Sequence, residues 1–202
     1  MSARRLRAEW PGADGAIAAV EPSESDVRGR AAELAAAYND AHNRAMMANT
    51  IDFAEGDVLS HYAAMAEEGA RQFFLYGASG EFVGDADFRN LAQGRAEFAI
   101  LIAARGTQGK GLGTRFAILL HALAFRALDL ERTYVTILPQ NAASRRLFEK
   151  IGYALDASPE ARAYVDEELD VSMSIGKSEF ERAHAAAIAE VRITRITRIT
   201  EA

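Results

Sequence analysis

The sequence contains no cysteine and only four prolines among its 202 residues. The absence of cysteine excludes disulfides, thiolate zinc sites and a cysteine nucleophile. Long apolar segments are absent too, because the longest uninterrupted run, residues 98–104, is far too short to cross a bilayer. The first residues also lack the apolar stretch and cleavage site of a signal peptide. We therefore expect a cytoplasmic protein without a membrane partner.

Metal ligands and positive charge are also scarce. The four histidines show no pairing at metal-ligand spacing, so we expect no metal site. The formal net charge of −6 argues against a nucleic-acid partner, because phosphate backbones select clustered lysine and arginine. The same charge favours a cationic substrate such as an amine, although an acidic surface also serves solubility.

The residues that are present indicate one mixed α/β domain. Half of the chain, 50%, is hydrophobic, which is enough apolar material to build a core. Helix-forming residues alternate with short β-branched or aromatic runs, a pattern that favours a mixed fold over an all-helical bundle. We divide the chain into a loose N-terminal arm (1–14), a main domain (15–177) and a C-terminal helix with a tail (178–202). The tail repeats Ile-Thr-Arg and is either a disordered end or an added strand.

Hydrophobic periodicity predicts the order of the secondary structure. Runs of β-branched and aromatic residues predict strands at residues 16–20, 72–76, 82–88, 95–103, 132–138, 153–155 and 169–175. Apolar residues at three- and four-residue steps, with their capping residues, predict helices that include residues 31–38, 57–68, 116–127, 142–151 and 178–191. Asn141 is the expected N-cap of the fourth of these helices, and Gly152 is the expected glycine at its C-terminal end.

A glycine-rich segment, Gln108-Gly109-Lys110-Gly111-Leu112-Gly113, lies between a predicted strand and a predicted helix. Backbone N–H groups at a helix start lack intrahelical partners and attract anions, and glycine lets the backbone approach a ligand closely. This arrangement favours a pyrophosphate ligand. The spacing fits neither the dinucleotide-binding fingerprint nor the P-loop, and the chain has no Gly-x-Ser-x-Gly elbow of serine hydrolases. On its own, the segment indicates only an anion site.

Two motifs together resemble a known family, the GNAT acetyltransferases. Gln108-x-x-Gly111-x-Gly113 matches the glycine-rich signature of that family, and the segment from Asn141 to Tyr153 is similar to its second motif. The similarity covers residues 16–175 and is closest in style to the branch of ribosomal-protein N-terminal acetyltransferases. It implies an α/β (α+β) GNAT fold with a mixed, mostly antiparallel central sheet of about seven strands and helices on both faces. The sheet would splay at the strand before the glycine-rich loop.

The resemblance also implies a co-substrate, acetyl-CoA, and the residues that would bind it. Backbone groups of Leu101, Ile102 and Ala103 would bond the pantetheine amides and the thioester carbonyl. The amine acceptor would contact the variable parts of the fold, and neither its identity nor the presence of a homodimer is decided by the sequence. The pyrophosphate would lie on Gln108, Gly109, Lys110, Gly111, Leu112, Gly113 and Thr114, with Asn141, Ser144 and Phe148 along the opposite wall.

For catalysis, the resemblance points to Glu97 as the base, since it lies eleven residues before Gln108, as the glutamate base does in several relatives. The usual thiolate acid of the family is a tyrosine where this chain has Phe148, which cannot donate a proton. Tyr153 is a nearby phenol and a candidate acid, although its motif position is more often a core position. A water, another tyrosine or direct departure of the thiolate are the alternatives. We therefore expect an N-acetyltransferase that acts by direct attack of an amine, or else a non-catalytic GNAT module that binds acyl-CoA.

Overall fold

The computed structural model describes residues 5–12, 15–47, 51–103, 111–165 and 170–196. Within these ranges the chain forms nine strands and seven helices. The strands are β1 Arg5–Trp10, β2 Ile17–Val20, β3 Arg71–Tyr76, β4 Phe82–Ala92, β5 Arg95–Ile102, β6 Arg132–Ile137, β7 Ala154–Leu155, β8 Val171–Gly176 and β9 Arg192–Ile196. The helices are α1 Glu24–Asn39, α2 Ala41–Met46, α3 Glu55–Glu67, α4 Leu112–Ala127, α5 Ala142–Ile151, α6 Pro159–Arg162 and α7 Lys177–Glu190.

The nine strands form one sheet in the order β7-β8-β6-β5-β4-β3-β2-β1-β9. All neighbouring strands run antiparallel except β5 and β6, which are parallel. The predicted mixed, mostly antiparallel sheet is therefore confirmed, although it has nine strands rather than about seven.

The extra strands come from the two ends of the chain. The expectation of a loose N-terminal arm is wrong for Arg5–Trp10, which forms β1 and pairs with both β2 and β9. Leu6 and Ala8 are buried while their neighbours are half-buried, so one face of β1 packs on the core. Charged residues between the apolar ones, and the Pro-Gly pair that follows, concealed this alternation in the sequence. Of the two alternatives for the C-terminal tail, Arg192–Ile196 forms the added strand, β9.

Helices cover both faces of the sheet, as expected. Alternate side chains of β3 separate the two layers: Phe73 and Leu75 pack into the core beneath α4 and α7, whereas Phe74 packs beneath α1 and α3. α4 lies between the sheet and α7, so its apolar residues from Phe116 onward are almost completely buried. We call the side covered by α1 and α3 the acceptor face and the opposite side the core face.

The centre of the sheet splays between β5 and β6. β5 pairs with β4 as far as Ile102, and β6 pairs with β8 as far as Ile137. The parallel pairing of β5 with β6 spans only three residue pairs and ends at Glu97 and Tyr134. Residues 99–103 are consequently half-buried, although a strand in the middle of a sheet is normally closed on both faces. The predicted splay is confirmed, and it opens a gap that begins at Glu97.

Candidate active site

The gap between β5 and β6 leads to the start of α4. Gly111, the N-cap of α4, has a φ of +78°, and a Cβ built on it would meet no atom within 4 Å. No side chain of the described residues caps this helix end, so the N–H groups of its first turn have no side-chain partner in that part of the chain. The helix dipole favours an anion at the same place. The geometry therefore fits a pyrophosphate at Gly111 to Thr114.

Gly113 joins three elements at the floor of the gap. A Cβ at this position would lie 2.9 Å from Leu147 Cδ1 of α5 and 3.6 Å from Ile102 Cγ1 of β5. The end of β5, the start of α4 and the inner side of α5 therefore meet here, and a larger residue would require the Leu147 side chain to shift. The structure thus brings Ile102 and Gly113 together, while Gln108, Gly109 and Lys110 lie outside the described residues.

The wall formed by α5 places the second motif beside the gap. Asn141 Oδ1 accepts a hydrogen bond from the Ser144 backbone N–H at 3.0 Å, which caps α5 as predicted. Its Nδ2 donates to the Met46 carbonyl at 3.2 Å and so ties α5 to the end of α2, a helix that the sequence did not predict. The Phe148 side chain is buried, with its ring centroid 6.1 Å from that of Phe98. Phe148 therefore contributes an apolar surface and no proton donor.

Tyr153 belongs to a closed hydrogen-bond network on the core face. Its hydroxyl lies 2.6 Å from His121 Nε2 and 2.7 Å from Thr133 Oγ1, and His121 Nδ1 lies 2.7 Å from the Ala117 carbonyl. A carbonyl can only accept, so Nδ1 carries the histidine proton, Nε2 accepts from Tyr153, and Thr133 donates to Tyr153. Burial lowers the pKa of His121 to about 4 and raises that of Tyr153, so both side chains are neutral at pH 7. The proton of Tyr153 is therefore already engaged.

Glu97 lies on the acceptor face, where the gap begins. It is paired with Tyr134 in the last parallel position, and its side chain is half-buried. Asn90 Nδ2 donates to Glu97 Oε2 at 3.2 Å. The Tyr134 ring stacks on that of Tyr164, with centroids 4.7 Å apart, and closes the same end of the face. The predicted base is thus the carboxylate at the vertex of the splay.

A second carboxylate, Asp85 of β4, lies further along the acceptor face. Its Oδ2 accepts hydrogen bonds from the hydroxyls of Tyr38 on α1, at 2.5 Å, and Tyr62 on α3, at 2.7 Å. Burial opposes ionisation and raises the pKa of Asp85 to about 6, even though the two phenol donors act in the opposite direction. Asp85 is therefore ionised at pH 7 but close to its titration range.

This arrangement of a splayed sheet and an open helix start has a counterpart in a known family. The family model described as the acetyltransferase (GNAT) domain matches residues 17–154, which include the splayed strands and the start of α4. The chain belongs to the GNAT acetyltransferase family. No curated protein is significantly similar in sequence to this GNAT protein.

Solved structures share the fold of this GNAT protein at low sequence identity. RimJ of Mycobacterium smegmatis, solved with CoA-disulfide, has a TM-score of 0.71 and 17% identity, and the match covers 93% of this chain and 96% of RimJ. The aminoglycoside acetyltransferase AAC(6')-Ib, solved with coenzyme A, has a TM-score of 0.68 and 20% identity over 83% of this chain and 99% of that one. The spermidine N-acetyltransferase of Vibrio cholerae, solved with CoA and spermine, has a TM-score of 0.66 and 18% identity, covering 81% and 97%.

Some features of this GNAT domain were not found from the sequence. Asp85 and Asp87 alternate with buried residues of β4, so two carboxylates occupy positions where a covered sheet normally has apolar side chains. That alternation was the available signal for a second polar site. The described ranges contain no group of three histidine, aspartate or glutamate side chains able to hold a metal ion, and none of their helices is long and apolar enough to cross a bilayer.

Proposed function

We propose that this GNAT protein transfers an acetyl group from acetyl-CoA to a primary amine, of a small molecule or of a peptide N-terminus. The observation that carries the proposal is the gap between β5 and β6, which connects the carboxylate of Glu97 to the anion site at the start of α4. GNAT structures that share the fold were solved with coenzyme A and, in one case, with the amine spermine. A cytoplasmic location and a homodimer stay predictions.

The pantetheine arm of acetyl-CoA would lie in the gap. Beyond Glu97, β5 no longer pairs with β6, so the pantetheine amides and the thioester carbonyl would lie along that edge of β5. Leu101, Ile102 and Ala103 would line this stretch, although the Ala103 N–H already donates to the Val83 carbonyl at 2.8 Å. Gly111 to Thr114 would hold the pyrophosphate. The half-buried Ser144 and the buried Phe148 would border the arm from α5.

The reaction would proceed by direct attack. Glu97 takes a proton from the acceptor ammonium, and the neutral nitrogen attacks the thioester carbonyl. The tetrahedral intermediate then loses its second nitrogen proton to water as the C–S bond breaks, which gives an amide and a CoA thiolate. Thiols are far more acidic than alcohols or amines, so a CoA thiolate can leave as its anion without protonation by an enzyme acid. We propose that Tyr153 stabilises the core and does not protonate the thiolate, because its proton is donated to His121.

A non-catalytic acyl-CoA-binding module is the second candidate, and Phe148 is the residue that favours it, since it places no donor beside the thiolate. Release of free thiol from acetyl-CoA, measured with a panel of amines and peptides, separates the two. An acetyltransferase releases thiol above the protein-free background with at least one acceptor, and the product gains the mass of one acetyl group. Background rates with every amine would support the binding module and contradict the proposed function.

A further inference from the structure

Asp85 is a carboxylate that the GNAT motifs leave without a role. Both phenol donors, Tyr38 and Tyr62, bind the same oxygen, Oδ2. The other oxygen, Oδ1, accepts no hydrogen bond within the described part of the chain, and it is not closed off from solvent. The side chain as a whole is half-buried. One oxygen is therefore fixed by the protein, and the other is presented to whatever enters the acceptor face.

Asp87, two residues further along β4, differs from Asp85 because a cation of the protein binds its carboxylate. The Asp87 carboxylate receives two hydrogen bonds from Arg89, one from Nε at 2.7 Å and one from Nη2 at 2.9 Å. Asp85 has no such cation among the described residues. Carboxylates in protein interiors are normally paired, because an unpaired charge is costly to bury. The phenols are neutral donors and leave the negative charge of Asp85 uncompensated, so Oδ1 is the position at which a cationic ligand would pair with it.

The surroundings of Asp85 are apolar and aromatic. Phe74 on β3 and Leu101 on β5 are its register partners, so their side chains flank it on the same face. The ring of Tyr38 contacts Phe53 at 5.3 Å between centroids, and the ring of Tyr62 contacts Phe74 at 5.8 Å. Aromatic faces attract cations, and apolar walls accommodate methylene groups. Aromatic and aliphatic side chains therefore flank Asp85, and such surroundings would suit an ammonium group at the end of an alkyl stem.

Asp85 and Glu97 lie on the same face but at different distances along the sheet. Asp85 is directly opposite Leu101, whereas Glu97 is opposite Arg89, four residues earlier on β5. At about 3.4 Å per residue, this offset is roughly 14 Å between backbone positions. The neutralised Asp87–Arg89 pair lies between them. A single ammonium group is therefore too small to contact both carboxylates, whereas a longer molecule with an amine at each end can reach both.

We propose that Asp85 Oδ1 binds a second cationic nitrogen of the acceptor, while the nitrogen that is acetylated lies towards Glu97. The acceptor is then an amine that carries two positive charges separated by an apolar stem. This inference rests on the proposed function, since it names the substrate class of the same site. Tyr38 and Tyr62 act as positioning residues, because they hold the carboxylate through Oδ2 and leave Oδ1 free.

The first test compares diamines with monoamines. Acetylation of α,ω-diamines of increasing length is measured beside monoamines of the same carbon number, for the wild type, Asp85→Asn and the control Glu131→Gln, which removes an exposed carboxylate. We expect kcat/KM to favour the best diamine by about tenfold or more in the wild type and in Glu131→Gln, mainly through KM. Asp85→Asn should abolish this preference through a rise in the KM for diamines. An equal preference in all three proteins would overturn the proposal.

The second test needs no turnover, so it separates this inference from the proposed function. Carboxyl 13C NMR follows the titration of Asp85, assigned by its loss in Asp85→Asn, in the coenzyme-free protein with and without hexamethylenediamine. A bound cation stabilises the carboxylate, so the pKa of Asp85 should fall by about half a unit or more. The titratable and charged groups that act on it, Tyr38, Tyr62, Asp87 and Arg89, are the same in both samples. An unchanged pKa contradicts the site, whereas a shifted pKa without acetyl transfer to any amine contradicts only the enzyme.

Discussion

Two buried hydroxyl networks lie on opposite faces of the sheet, and they differ in what they leave unsatisfied. The closed network on the core face joins Tyr153, His121 and Thr133, and each polar group in it has a partner. The open network on the acceptor face joins Tyr38 and Tyr62 to Asp85 and leaves one carboxylate oxygen towards solvent. A closed network can only stabilise the fold, whereas an open one can also bind a ligand.

The two networks also respond to acid in opposite ways. The folded-state pKa of His121 is lowered to about 4, so the unfolded chain binds its proton first and stability falls as the pH drops from about 6.5 to 4. The folded-state pKa of Asp85 is raised to about 6, so the folded chain binds its proton first and stability rises as the pH drops from about 6 to 4. Titration of the closed network thus lowers folding stability in acid, and titration of the open network partly offsets that loss.

The largest effect is expected at the vertex of the splay. Glu97→Gln should lower kcat/KM by about 10²–10⁴-fold and leave the free energy of unfolding nearly unchanged, because the residue serves proton transfer on the acceptor face. Steady-state rates across pH check this, with Glu131→Gln as the control, since Glu131 is exposed and pairs only loosely with Lys177 at 3.5 Å. An unaltered rate with an unaltered pH dependence would show that Glu97 is not the base.

Breaking the closed network should instead lower the stability of the protein and leave its catalytic rate unchanged. Tyr153→Phe leaves His121 Nε2 without its donor and Thr133 without its acceptor in the core, so we expect a loss of about 1–3 kcal/mol in the free energy of unfolding. The kcat of the folded protein should stay the same. Urea unfolding and activity assays test both points, with Tyr164→Phe as a control for loss of a hydroxyl. A large fall in kcat in a fully folded Tyr153→Phe protein would indicate that Tyr153 is the thiolate acid.

Changing the open network should stabilise the protein. Asp85→Asn removes a carboxylate whose ionised form is opposed by burial, and the amide oxygen still accepts from both phenols. We expect a gain of about 1 kcal/mol at pH 7, below the full value of the pKa shift because the side chain keeps some contact with solvent. Urea unfolding measures the gain. A residue with a purely structural role would instead show a loss.

The smallest effect concerns the slope of stability against pH. Because Asp85 compensates for His121 in the wild type, Asp85→Asn should lose stability more steeply between pH 6 and pH 4, and the two proteins should converge near pH 4. Urea unfolding at several pH values reveals the slopes. Parallel curves over this interval would mean that Asp85 does not titrate near pH 6.

Local patterns made much of the fold predictable, and long-range packing explains what was missed. The apolar stripe of α4, the cap at Asn141 and the αL glycine Gly152 are features of consecutive residues, so the sequence reports them directly. β1 escaped detection because its pairing with β9 joins the two ends of the chain. The open network escaped because Tyr38 and Tyr62 lie 47 and 23 residues from Asp85, and only the packing of α1 and α3 brings them together.

Calorimetry of acetyl-CoA binding tests most directly whether the coenzyme occupies the gap and the start of α4. Gly111→Glu is compared with Gly80→Glu, because both glycines have a φ of +78° and open space where a Cβ would lie. The backbone strain and the added charge are therefore matched, and only the first substitution places a carboxylate on the pyrophosphate site. We expect Gly111→Glu to remain folded without measurable binding, and Gly80→Glu to bind like the wild type. Wild-type affinity in Gly111→Glu would contradict the assignment of the site.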